Sequence, residues 1–183
     1  MKSIINTPEL IEALNAVWDR GNRLVGNLSP TEFNNRVFKG KWNIAEEFNH
    51  IVRANSGITS SLNKEEQFFA QFGKNDGVVR DYQSVVDGYE NALAEYTKTR
   101  TPRIFSPKEG EELVQKDILF YWNSSQAKFN DRITRWSDEL LDTRQIPHPL
   151  LGPLPVREML FFTIHHSHHH LDKIEEKKEA IRN

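Results

Sequence analysis

The stretch 155–181 carries one unbroken helical pattern, and five of the chain's seven histidines sit inside it, in His165-His166-Ser167-His168-His169-His170. No other feature constrains the fold as much. With 100° per residue and Val156 at zero, Leu160, Thr163, Leu171, Ile174 and Ile181 fall within about 60° of it, Met159 at the margin. Glu158, Asp172, Glu176 and Glu179 gather on the opposite side, so one face is core and the other is water. A helix of this kind needs other helices to cover its stripe.

On the same wheel His166 and His170 lie at roughly 280° and 320°, on the flank of the apolar face, while His165 points to solvent and His168 and His169 stand off the core side. Phe161 and Phe162 do not fit the stripe; a wider buried arc or a partner surface would accommodate them. Two imidazoles one turn apart suit a divalent metal. The same placement also suits hydrogen-bonded core histidines, and a His-rich run can be an exposed tract that takes up metal opportunistically. A cloned tag does not fit, because Ser167 interrupts the run and Leu171-Asp172-Lys173-Ile174 continues the helix.

Two histidines remain. His50 belongs to a helix over about 44–62, opened by Asn43 as cap and Glu46 at N3 in a capping box. Its apolar stripe is Ile44, Phe48, Ile51, Ile58 and Leu62, and His50 lies beside it on a strip with Ala54, Gly57 and Ser61, whose small side chains leave room for a cavity or a close neighbour. His148 lies between Pro147 and Pro149 in a segment that reads as a loop, with a local structural role by default.

With these residues placed, the chain resembles the DinB/YfiT-like metalloenzyme family. Gly40-Lys41-Trp42 with His50-Ile51, His148-Pro149 with Gly152, and His166-x-x-His169-His170 with Ile174 match in order, over roughly the C-terminal three quarters of the chain. The resemblance implies a four-helix bundle and a divalent metal held by one histidine of the second helix and two of the last, here His50, His166 and His170. It also implies an activity related either to bacterial thiol-dependent S-transferases, bacillithiol transferases among them, or to metal-dependent hydrolases, and a homodimer.

Helical patterns at about 8–26, 44–62, 78–99, 117–141 and 155–181 number one more than a four-helix bundle requires. The segment 78–99, with Val79, Tyr82, Val86, Tyr89, Leu93 and Tyr96 at helical intervals, reads as an additional helix packed on the bundle. Thr7-Pro8, Ser29-Pro30-Thr31-Glu32 and Ser106-Pro107-Lys108-Glu109 are helix-start chemistry, and Phe72–Gly77 is a loop. Strand signals are almost absent, so the fold class is all-α.

The 183 residues, 37% of them hydrophobic, suffice for one domain over 1–183. No cysteine is present, which removes disulfides, thiolate ligands and a cysteine nucleophile; thiol chemistry would need an added low-molecular-weight thiol. A net charge of −2 offers no general attraction to nucleic acid. No segment reads as a signal peptide or membrane span, so the expected location is cytoplasmic, and Glu175-Glu176-Lys177-Lys178-Glu179 reads as a solvated helix end.

Three histidines leave a coordination position open, the arrangement of a catalytic rather than a structural site. The expected cofactor is one divalent ion, zinc, nickel or iron, acting on a small-molecule substrate. Glu46 and Glu47 are candidates to orient an imidazole or act as general base, against helix capping and a surface charge as the alternative. Lys41, Arg53 and Arg157 are candidates to hold an anionic thiol. Three classes stay open: thiol transferase, hydrolase whose carboxylate is poised on water, and a non-catalytic metal-binding bundle.

Overall fold

A computed structural model describes residues 6–95, 106–108 and 111–182. Four long helices form the bundle: α1 (Thr7–Val25), α3 (Ile44–Leu62), α6 (Gln115–Ile133) and α8 (Val156–Arg182). Between them lie the short helices α2 (Pro30–Asn34) and α4 (Glu66–Ala70), the longer α5 (Tyr82–Glu95), then α7 (Asp138–Thr143) and a hairpin of β1 (Gln145–His148) and β2 (Gly152–Pro155). Helix α3 packs on α8 and α6, and α1 packs on the same two, which closes the four into a ring. Helix α5 packs on α8 from outside the ring, so it is the expected additional helix; the expected residues 96–99 lie outside the described ones.

The helix starts follow their chemistry. Asn6 caps α1 by accepting from Glu9 N at 3.0 Å, and Ser29–Glu32 and Asn43–Glu46 both form complete capping boxes. The Ser106–Glu109 box cannot be followed, because Glu109 lies outside the described residues, and α6 opens at Val114 with no side-chain cap. Leu10, Leu14, Val17 and Trp18 of α1 meet Trp122 and Phe129 of α6 in the core, together with Phe48 and Ile51 of α3 and Leu160, Leu171 and Ile174 of α8. Among the described residues no helix is long and apolar enough to cross a membrane.

Two expectations are corrected and one open alternative is decided. The segment 117–141 is two helices, not one. After Ile133, Thr134 turns its hydroxyl onto Asn130 O at 2.8 Å, and Ser137 restarts the chain as cap of α7 by accepting from Leu140 N at 3.2 Å. The Pro-rich loop around His148 is a four-plus-four-residue hairpin with Pro147 opposite Pro153; a two-stranded ribbon tolerates proline on its open edges, and Gly152 takes the left-handed conformation (φ +72°) at the turn. Phe161 and Phe162 are both buried inside the chain, against Tyr82 and Tyr89 of α5 at ring distances of 5.9 and 4.9 Å, so α5 supplies the wider arc and these rings are not a partner surface.

Helix α8 is also less amphipathic than its wheel suggests. Glu158 is buried and receives Arg80 through Nη2 at 2.6 Å and the Arg80 backbone N–H at 2.8 Å, because the chain entering α5 covers that face. Lys177, expected on a solvated end, is 3% exposed.

Candidate metal centre

The capping box that starts α3 fixes where His50 stands, and the uninterrupted α8 fixes His166 and His170 one turn apart. Facing each other across the α3–α8 contact, the three imidazoles are buried and place one nitrogen each within 4.8 Å of one another. His50 Nε2 and His166 Nε2 are 3.1 Å apart. The rings lie at 4.5–5.0 Å: His50 to His170 at 4.5 Å, His166 to His170 at 4.7 Å and His50 to His166 at 5.0 Å. Trp42 covers the group from the loop before α3, with its ring 5.2 Å from His50.

Burial holds His166 and His170 well below the usual histidine range, and the neighbouring imidazoles push in the same direction. Both are therefore neutral at pH 7, the form that donates a lone pair. His170 Nδ1 donates to Glu47 Oε2 at 2.6 Å, which leaves its Nε2 facing the other rings. His166 Nδ1 is buried without a hydrogen-bond partner. Three convergent imidazole nitrogens, one of them backed by a carboxylate, are a donor set that fits a divalent ion.

Glu47 is not the surface charge of the bland alternative. It is 4% exposed, and its second oxygen accepts from Lys177 Nζ at 2.9 Å, so the carboxylate joins the imidazole to a buried ammonium. The lysine offsets the charge that Glu47 would otherwise carry alone into the core. Glu46 follows the alternative reading: one oxygen accepts from Asn43 N at 2.7 Å within the cap and the other from Arg36 Nη2 at 2.7 Å. Lys177 was missed because the charged run around it looks uniformly solvated; its spacing of seven from His170, two turns along the same flank, is the signal that marks it.

The triad opens into a cavity of about 810 Å³. The expected small strip of α3, Ala54, Gly57 and Ser61, forms part of its wall. Ile58, Tyr89, Leu93, Met159 and Phe162 make it apolar, and Lys41 and Lys173 make it basic. Of the three proposed cations only Lys41 is there. Arg53 approaches Ser106 O at 3.4 Å and Glu111 at 4.0 Å, while Arg157 is bound by Asp138 at 2.7 Å and by Asp142 beneath α7.

Two of the other α8 histidines, His165 and His168, engage partners away from the triad, whereas the His169 ring stands 5.3 Å from His170. His165 Nε2 lies 3.5 Å from Glu90, His168 Nδ1 meets Arg20 at 3.3 Å, and the rings of His165 and His169, also one turn apart, stand 6.5 Å apart. His148, read as local structure, does serve the hairpin: its Nδ1 accepts from Leu150 N at 3.2 Å and Leu151 N at 3.1 Å. It lines the cavity as well.

No curated protein matches the sequence. Two solved structures share the fold at low identity. One is TT2238, a four-helix bundle protein, with a TM-score of 0.56 at 12% identity over 93% of this chain and 99% of that one. The other is YfiT from Bacillus subtilis, described as a probable metal-dependent hydrolase with an unusual four-helix bundle topology, with a TM-score of 0.59 at 15% identity over 99% of this chain and 91% of that one. The model of the DinB superfamily matches residues 13–174, from within α1 to Ile174 on the core stripe of α8, and so takes in all four bundle helices and the three convergent histidines. The chain belongs to the DinB superfamily.

Proposed function

We propose that this protein is a metal-dependent enzyme of the thiol S-transferase type, acting on a small electrophile, with His50, His166 and His170 as the ligands of one divalent ion. The observation that carries the reading is the lining of the cavity beside the triad: two lysines and, among the described residues, a single carboxylate, Glu47, both of whose oxygens are already engaged. A hydrolase of this kind needs a carboxylate free to take a proton from water. A basic cavity without one suits an anionic thiol instead.

A divalent ion bound there would favour the deprotonated form of its ligand atom at neutral pH. The remaining steps belong to the chain. Glu47 holds His170 in the tautomer that presents Nε2, and Lys41 and Lys173 attract the negative charges of an incoming thiol. Trp42, Phe162 and Tyr89 keep the acceptor dry and close. The thiolate sulfur forms a bond to the electrophilic carbon, the leaving group departs with the electron pair of the broken bond, and the thiol proton passes to solvent.

The test is turnover of an electrophilic acceptor by the zinc-, nickel- or iron-loaded protein, with and without low-molecular-weight thiols. Metal-dependent turnover that requires the thiol and is lost in His166→Ala is the expected result. Turnover without thiol would favour hydrolysis, and no metal-dependent turnover over a broad acceptor panel would leave a non-catalytic metal-binding bundle.

A further inference from the structure

The cavity holds one polar group that neither the metal triad nor the thiol-binding lysines explain. His148 is 7% exposed, and its Nδ1 is committed as acceptor to two backbone N–H groups of the hairpin turn. An imidazole whose Nδ1 accepts twice carries its hydrogen on Nε2 when neutral, so the hairpin fixes the tautomer. Among the described residues Nε2 has no hydrogen-bond partner. The buried side-chain polar atoms left without one among the described residues are Asn55 Oδ1, Asn130 Oδ1, Arg144 Nε and His166 Nδ1, so His148 Nε2 is not sealed in the protein and reaches solvent through the cavity that His148 lines.

Its surroundings say what it would meet there. The His148 ring stands 4.3 Å from the Phe162 ring, and Phe162 stacks on the triad's His166 at 5.0 Å, so the donor is one aromatic ring away from the centre. Tyr89 borders the same corner, 5.9 Å from His148. A neutral donor in an apolar corner suits a neutral acceptor; an anion would do better near Lys41 and Lys173 on the basic part of the lining.

We infer that His148 Nε2–H is the specificity donor of the acceptor subsite, hydrogen-bonding a carbonyl oxygen on a small molecule whose apolar part lies against Tyr89, Leu93 and Phe162. This rests on the proposed function in one respect, that the cavity is where substrate binds. The residue has two separable roles: Nδ1 holds the turn and Nε2 reads the ligand.

Two variants separate them. His148→Asn can keep an acceptor for the turn, since its side-chain oxygen reaches about as far as Nδ1, and it lacks the Nε2 donor; His148→Gln can place an amide N–H near Nε2 and loses the turn acceptor. The probes are acetophenone and α-methylstyrene, which have the same shape with and without the carbonyl oxygen, titrated into the full-length chain with and without one equivalent of zinc. Wild type is expected to favour acceptor over isostere more strongly than His148→Asn by about three- to tenfold, the range of one neutral hydrogen bond, with the Asn unfolding midpoint close to wild type. His148→Gln is expected to retain part of the preference at a lower midpoint. Nitrogen NMR of the wild type is expected to show a protonated Nε2 and an unprotonated Nδ1.

An equal preference in wild type and His148→Asn, a wild type that binds neither probe, or a protonated Nδ1 would each overturn the inference. Failure of the proposed function shows elsewhere, as absence of thiol- and metal-dependent turnover while the carbonyl preference persists.

Discussion

Two seams of the same bundle are built on opposite terms. Between α1 and α6 the indoles of Trp18 and Trp122 lie 5.4 Å apart and exchange hydrogen bonds, each Nε1 donating to the other's backbone carbonyl at 3.0 and 3.2 Å. Gly21 lets them approach: a Cβ there would stand 2.7 Å from Trp122 Cζ2. Between α3 and α8 the core contains three buried imidazoles, a buried carboxylate, a buried ammonium and two polar atoms without partners, Asn55 Oδ1 and His166 Nδ1. The first seam gains by shape; the second tolerates costs that a purely structural core would shed, and such local violations gather where donors are needed. Among the described residues Asn130 Oδ1 is the one comparable lapse on the α1–α6 side.

The largest effect should come from the structural seam. Trp122→Ala is expected to lower unfolding free energy by about 3–5 kcal/mol in a denaturant titration, and Gly21→Ala by about 1–3 kcal/mol through overpacking, while the folded fraction of either binds zinc as wild type does. If Trp122→Ala removed zinc binding from protein still folded, the two seams would not be separable.

Next is the triad. His50→Ala, His166→Ala and His170→Ala should each weaken zinc binding by more than about 100-fold, the upper end of what an outer-shell change does, with little effect from His165→Ala, His168→Ala or His169→Ala. Competition calorimetry decides it, and the assignment is wrong if the outer histidines matter as much. Glu47→Gln should cost less, about 10- to 100-fold, because the amide can still accept from His170 but leaves Lys177 buried without its counter-charge.

That division also explains what could be read from the chain beforehand. The bundle was legible because caps and stripes are local: Asn43 with Glu46, and Leu160, Leu171 and Ile174 at helical spacing, act within one element. The triad was legible in α8 from spacing and in α3 only with the family pattern, since nothing local links His50 to His166. Glu47 was legible only as one of two carboxylates within a turn of His50, and Lys177 and Lys173 were not, because a charge on a helix flank looks the same whether it faces water or another helix; only the α3–α8 packing decides. The break after Ile133 was missed for a different reason: Ser137 is an ordinary N-cap, but the apolar period continues through Trp136 and Leu140 and hides it.

The smallest effect isolates the edge of the functional seam. Burial pushes the His148 imidazole down to about 4, and its Nδ1 cannot take a proton without losing both backbone N–H groups it accepts from. The folded state thus binds fewer protons at this site than the unfolded chain, whose histidine titrates near 6.5. The sign follows: this stability is fully present above pH 6.5 and is lost as pH falls through the window from 6.5 to about 4. Between pH 7 and pH 5 the loss from His148 alone should be on the order of 1–2 kcal/mol. His166 and His170 are depressed as well and add to the slope in the same direction, so the wild-type curve cannot be assigned to one group. The difference between wild type and His148→Asn can, because Asn keeps a turn acceptor and has no proton to gain. Parallel unfolding titrations from pH 7 to pH 5, close together at pH 7, should separate as pH falls, wild type losing stability relative to His148→Asn, and curves that stay parallel would show that the hairpin histidine is not held neutral by its turn.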